Sequence, residues 1–324
     1  MSNDVLMKVT DVSVTFSISN GLFKRDKLHA VNRVSIDIKE GSIVGLVGES
    51  GSGKSTLGRA ILKLESISSG TINFDGLDFE YATKADVKRL RQQTAMIFQD
   101  PFSSLNPKQT IGGAIKEVLI VHRKRPKHQI ESRIDELLML TGLSPEYKTR
   151  YPHQLSGGQC QRAVIARALA MEPRLVVADE CVAALDVSIQ AQIINLLIEL
   201  NQKINLTILF IAHDLAIVRR LCDRVAVMYL GKIVEEGSTE SVFIHPRHPY
   251  TAALIQAVPD INPNNRLPET PLNGEPPSPV KLPDGCAFQA RCAHVTAGCL
   301  EGDGPSLFTT NDHHYACILY DDEG

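Results

Sequence analysis

The chain reads as an α/β protein with a mainly parallel, buried sheet, and three observations predict it. Residues 48–56, Gly-Glu-Ser-Gly-Ser-Gly-Lys-Ser-Thr, fit the phosphate-loop pattern G-x-x-x-x-G-K-[ST]. Strongly apolar runs at residues 43–47, 175–178 and 206–212 read as strands covered on both faces, which is the habit of parallel sheets. Segments of helical spacing separate those runs, and strand–helix–strand alternation is how parallel strands are joined.

Taken in order, residues 5–15 alternate loosely and read as a strand, as do residues 34–38. The apolar run 43–47 leads into the phosphate loop, and residues from Leu57 onward read as the first turns of a helix. A further strand at 70–74 ends at Asp75-Gly76, a turn signal. From Asp86 to about Ala170 the pattern is mostly helical, broken at Asn106-Pro107 and Ser144-Pro145, with one short apolar run at 95–98. Residues 187–200 have helical spacing, with Ile189, Ile193, Leu196, Leu197 and Leu200 apolar. Residues 225–230 and 232–234 flank Gly231 as a hairpin. Between Pro259 and Pro283 lie eight of the chain's 17 prolines, so that stretch is extended and cannot be helix. These shifts divide the chain into a domain over 1–258, carrying an inserted helical subdomain at about 88–170, and a proline-rich linker with a cysteine-bearing extension over 259–324. No repeat recurs at a fixed period.

Composition narrows the function classes. The 324 residues can bury a large core, as one big domain or two. A net charge of −3 gives no basic field, so nucleic acid is not an expected partner. The hydrophobic content of 43% is ordinary for a soluble protein. No apolar run approaches the roughly 20 residues that span a bilayer. The start Met1-Ser2-Asn3-Asp4 lacks the basic and apolar regions of a signal peptide. A cytosolic chain that reaches the membrane only through partners is expected. The basic run Arg123-Lys124-Arg125-Pro126-Lys127 precedes helical positions Ile130, Ile134, Leu137 and Leu138 and reads as the start of a solvated helix. The seven cysteines then stand as thiols or metal ligands rather than disulfides.

The motifs carry nucleotide chemistry. Glycines let the loop curl so that successive N–H groups face a phosphate, and the following helix adds the positive end of its dipole. Gly48, Ser50, Gly51, Gly53 and Thr56 belong to this cradle, Lys54 reaches the β- and γ-phosphates, and the Ser55 hydroxyl ligates Mg²⁺. The strand at 175–178 ends in Asp179-Glu180; the first carboxylate suits Mg²⁺ through its water shell and the second polarises an attacking water. Gln99 and His213 likewise follow apolar strands, and ligands of open α/β sheets sit at such carboxyl ends. Leu155-Ser156-Gly157-Gly158-Gln159 forms a second anion-binding helix start capped by Ser156. One site does not need two phosphate-binding helices, so a dimer is expected, with Ser156 reaching the other subunit's nucleotide.

In this order, the phosphate loop, Gln99, Leu-Ser-Gly-Gly-Gln, Asp179-Glu180, Ala184-Leu185-Asp186 and His213 resemble the ATP-binding subunits of ABC transporters over essentially the whole chain. The resemblance implies that Gln99 contacts Mg²⁺, the attacking water and a membrane partner, that Glu180 is the catalytic base, and that His213 clamps the γ-phosphate. It implies that Asp186 communicates across the dimer and that an aromatic, Phe16 or its rival Phe23, stacks on adenine. Asp100-Pro101-Phe102-Ser103-Ser104-Leu105-Asn106-Pro107, Pro246-Arg247-His248-Pro249-Tyr250-Thr251 and Gly274-Glu275-Pro276-Pro277-Ser278-Pro279 resemble the paired ATPases of di- and oligopeptide importers. That subfamily implies a heterodimer with a second similar subunit, two integral membrane permease subunits, and an extracellular or periplasmic solute-binding protein. It places the chain at the cytoplasmic face of the cell membrane. Relatives with the same motifs import nickel, glutathione or oligosaccharides, and a soluble ATPase acting on nucleic acid or ribosomes is the rival from another class. Two departures stand out. Cys181 replaces the usual proline after the catalytic glutamate, and Ala183 replaces a serine, which bear on turnover and subunit communication and raise a non-hydrolysing subunit as a third reading.

Cys286, Cys292, Cys299 and Cys317 crowd the C-terminal stretch, whereas Cys160, Cys181 and Cys222 are scattered. Their spacing lacks the C-x-x-C pairs of structural zinc sites, and four thiolates suit a [4Fe–4S] cluster. The contexts Gly285-Cys286 and Arg291-Cys292 resemble the C-terminal region of peptide-importer ATPases, some of which carry that cluster. Zinc and unligated thiols stay open beside it.

Overall fold

The computed structural model describes residues 5–19, 25–122, 126–258, 274–302, 304–310 and 312–323. Phe23, the Arg123-Lys124-Arg125 part of the basic run, residues 1–4 and the prolines within 259–273 lie outside the described residues. The chain divides into two compact units, one of residues 39–42 and 81–210, the other of residues 5–38, 43–80 and 211–324.

The elements run in chain order. They begin with β1 (Val5–Ser19), β2 (Arg25–Lys39), β3 (Ile43–Val47), α1 (Lys54–Ile61), β4 (Ser69–Phe74), β5 (Leu77–Asp78), α2 (Lys84–Gln93) and β6 (Thr94–Ile97). Next come α3 (Ile111–Val121), α4 (Ile130–Leu140), α5 (Gly157–Leu169), β7 (Leu175–Asp179), α6 (Val187–Ile204) and β8 (Thr207–Ala212). The chain continues through α7 (Leu215–Leu221), β9 (Arg224–Tyr229), β10 (Lys232–Ser238), α8 (Thr239–Ile244), α9 (Pro249–Gln256), β11 (Phe308–Thr310) and β12 (His313–Tyr315).

In the first unit the helices start where side chains satisfy their open N–H groups. Thr83 and Asp86 form a capping box on α2, Thr110 caps α3, Ser156 caps α5 and Asp186 caps α6. Ile111 and Ile115 of α3, Ile134, Leu137 and Leu138 of α4, and Val164 and Ile165 of α5 are buried, so the apolar stripes close on one another. β6 and β7 pair in parallel with Thr94 opposite Leu175 and Ile97 opposite Ala178, and β8 lies beside β7. Every residue of β7 and β8 is buried, as their mostly apolar sequences require, with Asp179 and Thr207 the polar exceptions. Asn201 fastens α6 to the strand after it, its Nδ2 donating to the carbonyls of Gly41 at 2.7 Å and Leu206 at 2.8 Å.

The second unit holds two sheets. In the first, strands run in the order β2-β1-β4-β5, with β1 and β4 antiparallel and Met7 opposite Phe74. In the second, the neighbours run β11-β12-β10-β9-β3, where β3 and β9 are parallel and the hairpin of β9 and β10 turns at Leu230-Gly231. A separate antiparallel N-terminal sheet differs from the mainly parallel core that the sequence predicts. β2 also begins well before residue 34: His29 N–H donates to the Pro279 carbonyl at 3.0 Å and Asn32 N–H to that of Gly231 at 2.8 Å, with no apolar run to announce them. The C-terminal strands β11 and β12 add to the β10 edge, with Glu236 opposite His314.

Candidate functional site

In the second unit, β3 delivers the chain into the phosphate loop. Its five residues are all buried, and it aligns with β9 through Val44 opposite Arg224 and Val47 opposite Val227. Two glycines make the curl possible. Gly48 has φ 151° and a Cβ there would lie 2.0 Å from the Met228 carbonyl oxygen, while Gly53 has φ 103° and a Cβ would lie 2.0 Å from that of Ala30. The helix starts earlier than its apolar pattern implies, at Lys54 rather than Leu57, since Leu57 N–H already donates to Gly53 at 2.9 Å. Ser55 and Thr56 therefore lie in the first turn, whose cap at Gly53 supplies no side chain. That leaves main-chain N–H groups and a dipole for an anion. Lys54 is buried, and its Nζ donates to the carbonyls of Gly48 at 2.7 Å and Glu49 at 2.8 Å. Ser50 and Gly51 lie at the exposed tip. Phe16 is half-buried on β1, and His213 is exposed directly after β8.

In the first unit, β6 and β7 end on the same edge, which carries Gln99 and Asp179-Glu180. Asp179 is buried at the last position of β7, and Gln99 is exposed two residues past β6. Glu180 adopts a left-handed backbone, φ 48°, the kind of sparsely populated geometry found where side chains must be aimed. The turn after it closes through Ala183 N–H to the Glu180 carbonyl at 3.0 Å. Cys181 is buried within that turn, and desolvation pushes its thiol up to about 12, so it stays neutral.

The Ser156 helix start is held by its own side chains. Ser156 Oγ accepts from Gln159 N–H at 3.3 Å, and Gln159 Oε1 accepts from Ser156 N–H at 3.0 Å. Gln159 Nε2 also donates to Tyr147 Oη at 2.9 Å. Gly158 lets α5 meet α6, since a Cβ there would lie 2.5 Å from Ile189 Cγ2. Ser156 itself is exposed and Gly157 half-buried. Asp186 accepts from the Ser188 hydroxyl at 2.7 Å and from Ile189 N–H at 3.0 Å, and these bonds, the hydroxyl first, hold its carboxyl below the usual range.

Cys286, Cys292, Cys299 and Cys317 line one cavity of the second unit, and no described cysteine is in a disulfide. Burial pushes the Cys317 thiol up to about 11 and raises Cys286 and Cys292 as well. Among the described residues no three His, Cys, Asp or Glu side chains form a group that could hold a metal ion. The four thiols share this cavity, but the described residues assemble no ligand group for the [4Fe–4S] cluster that the sequence reading expects.

Two family models match the chain: ABC transporter over residues 31–183, and oligopeptide/dipeptide transporter, C-terminal region, over residues 234–299. The oligopeptide transport ATP-binding protein AppF of Bacillus subtilis (strain 168) is 43% identical over 324 residues, spanning 98% of both chains. The chain belongs to the ATP-binding subunits of ABC transporters. The di/tripeptide transport ATP-binding protein DppF of Pseudomonas aeruginosa is 39% identical, over 97% of both chains. Among solved structures, cbiO1 of Clostridium perfringens, part of the ABC transporter complex cbiONQ, matches with TM-score 0.65 and 31% identity over 78% of this chain and 95% of its own.

In this ABC ATPase Asp179 ends β7, Gln99, Glu180 and His213 follow directly or closely after their strands, and Ser156 and Asp186 cap helices. Missing from the sequence reading is the way the phosphate loop is anchored: Glu49 meets Arg291 and Tyr250, at separations of 242 and 201 residues that no spacing rule detects. Among the described residues no helix is long and apolar enough to cross a membrane.

Proposed function

We propose that this ABC ATPase powers uptake of di- or oligopeptides through partner membrane subunits. The observation that carries the reading is the match of residues 234–299 to the oligopeptide/dipeptide transporter C-terminal region, alongside near full-length similarity to AppF and DppF. ATP sits on the phosphate loop, with Gly48, Ser50, Gly51, Gly53, Lys54, Ser55 and Thr56 around its phosphates and Phe16 on adenine. Ser55, Gln99 and Asp179 hold Mg²⁺, Glu180 polarises the attacking water and His213 clamps the γ-phosphate. Ser156, Gly157, Gly158 and Gln159 meet the nucleotide of a second, homologous ATPase subunit, and Asp186 reports across that interface. Closure of the heterodimer moves the Gln99 loops and rocks two permease subunits, while a binding protein outside delivers the solute. The chain works at the cytoplasmic face of the membrane. Its functional parts are a nucleotide-binding domain, 1–258, with the helical subdomain at about 88–170, and a C-terminal part, 259–324. There Cys286, Cys292, Cys299 and Cys317 hold a [4Fe–4S] cluster of structural or regulatory role. Support for the cluster comes from the shared cavity of the four thiols.

The test is anaerobic purification with the accompanying membrane subunits, followed by iron, sulfide and ATPase assays. About four irons per chain and ATPase activity stimulated by peptide-loaded binding protein support the reading. Activity indifferent to membrane subunits and peptide sinks the importer; iron-free protein with full activity sinks the cluster. Glu180→Gln should bind ATP yet lose turnover at this subunit's site by about a hundredfold or more. Unchanged turnover there points to a non-hydrolysing subunit.

A further inference from the structure

Glu49 is the second residue of the phosphate loop, and it puts a carboxylate into a segment built to bind a polyanion. Its charge is met from the far end of the chain. Arg291 Nη1 donates to Glu49 Oε2 at 2.7 Å and Nη2 donates to Oε1 at 2.9 Å, the two-point geometry that makes guanidinium–carboxylate pairs directional. The Arg291 side chain is 4% exposed and that of Glu49 26%, so water screens the pair weakly. The guanidinium lies 5.8 Å from the ring centre of Tyr229 and 5.9 Å from that of Phe288, which fixes its plane.

A second bond acts on the same residue. Glu49 N–H donates to Tyr250 Oη at 2.8 Å, and Tyr250 is fully buried, with its ring 4.7 Å from Tyr229 and 5.4 Å from Phe288. The loop is therefore gripped at Glu49 by main chain and side chain at once. Arg291 closes a short turn, its N–H donating to the Phe288 carbonyl at 3.0 Å, and it directly precedes Cys292 of the cysteine cavity.

We propose that Arg291 is a positioning residue for nucleotide binding: by cancelling the Glu49 charge and fixing the start of the phosphate loop, it lets the C-terminal segment set the affinity for MgATP. The inference rests on ATP occupying that loop. Arg291 acts only through Glu49, so its removal leaves an uncompensated carboxylate beside the triphosphate and weakens binding, while the reacting groups stay in place.

The full-length chain is titrated with MgATP, and steady-state ATPase is measured in the assembly it purifies with. Arg291→Met should raise Kd and KM for MgATP about tenfold, the scale of one charge-assisted pair, with kcat changed less than about twofold. The effect should shrink as salt rises. Glu49→Gln, which unmasks a cation, should tighten MgATP binding severalfold. The double variant Glu49→Gln/Arg291→Met should return to within about twofold of the parent. Arg291→Lys keeps the charge without the fork and should fall between parent and Arg291→Met, which covers the case of a poorly folding Met variant. An Arg291 needed only for folding predicts a double variant as impaired as the single, and that result overturns the proposal, as does an unchanged Kd. A parent chain that fails to bind MgATP at all sinks the nucleotide reading of the loop instead.

Discussion

Glu235 on β10 is completely buried, yet its carboxylate takes bonds from three places. Arg247 N–H donates at 2.7 Å, His248 N–H at 3.0 Å, and His313 Nε2 is bonded to it at 2.7 Å. The first two belong to the chain entering α9, the third to β12, so one carboxylate joins three segments of the second unit. Replacing Glu235 with Ala strands two main-chain donors, at about 1–3 kcal/mol each, and removes the partner of a buried imidazole. The two donors alone come to about 2–6 kcal/mol. At about 2.1 cal/mol/K of unfolding entropy per residue, the 324 residues give about 1.5 °C per kcal/mol, so a loss of about 4 kcal/mol should lower the melting midpoint of Glu235→Ala by about 6 °C. Glu235→Gln keeps one acceptor oxygen and should lose about half as much. Thermal unfolding followed by circular dichroism measures the shift, and hydrogen exchange should show the amides of residues 247 and 248 losing protection. An Ala variant melting within about 3 °C of the parent, with both amides still protected, would refute the reasoning.

Acid should act on His248, which caps α9 by accepting from Tyr250 N–H at 3.1 Å and is pushed down to about 3 by burial. The unfolded chain takes up a proton near 6.5 that the folded one refuses. Stability from this group is thus complete above about pH 6.5 and falls by about 1.4 kcal/mol per pH unit below it until the folded value is reached. His248→Asn, which keeps an acceptor, should flatten that slope in urea melts run from pH 7 to 4. Gly158→Ala forces a methyl against Ile189 Cγ2 and should cost about 1–2 kcal/mol, with ATPase activity lowered through the tilted α5. Adding Ile189→Ala should recover about 1 kcal/mol of that loss, and a coupling near zero in the double-mutant cycle would show that the contact is not the cause.

Much of the fold was legible because buried parallel strands advertise themselves. Residues 175–178 are wholly apolar and 206–212 carry a single polar residue, Thr207, and both runs became strands with every side chain covered. The cap at Ser156 was readable for a similar reason, since a short oxygen-bearing side chain before a helical run has one common use, whereas the cap at Asp186 came only with the structure. Reading failed where pairing is non-local. β2 opens with Arg25, Asp26 and Lys27, charged residues that hydrogen-bond along a sheet without an apolar signature. The three-residue strands β11 and β12 are too short to show a period. Lys54 was misplaced by three positions because the loop glycines hide the helix start, and the φ of Gly53 is a property of the folded chain. Of the site, residue types and strand ends were visible; the left-handed backbone of Glu180 and the grip of Arg291 and Tyr250 on Glu49 required coordinates.

The attachment of β12 to β10 has a consequence for how the molecule is made. Residues 232–238 leave the ribosome long before residues 313–315, which later occupy their free side. In that interval Val234, Glu235 and Glu236 present an unpaired row of N–H and C=O groups, and Glu235 waits for an imidazole that has not yet been synthesised. A nascent chain in this state is sticky toward its neighbours on the same message, where copies are most concentrated. Once β12 docks, the outermost strand on that side among the described residues is β11, three residues long and too short to template another chain, so the docking of β12 also ends the period of risk.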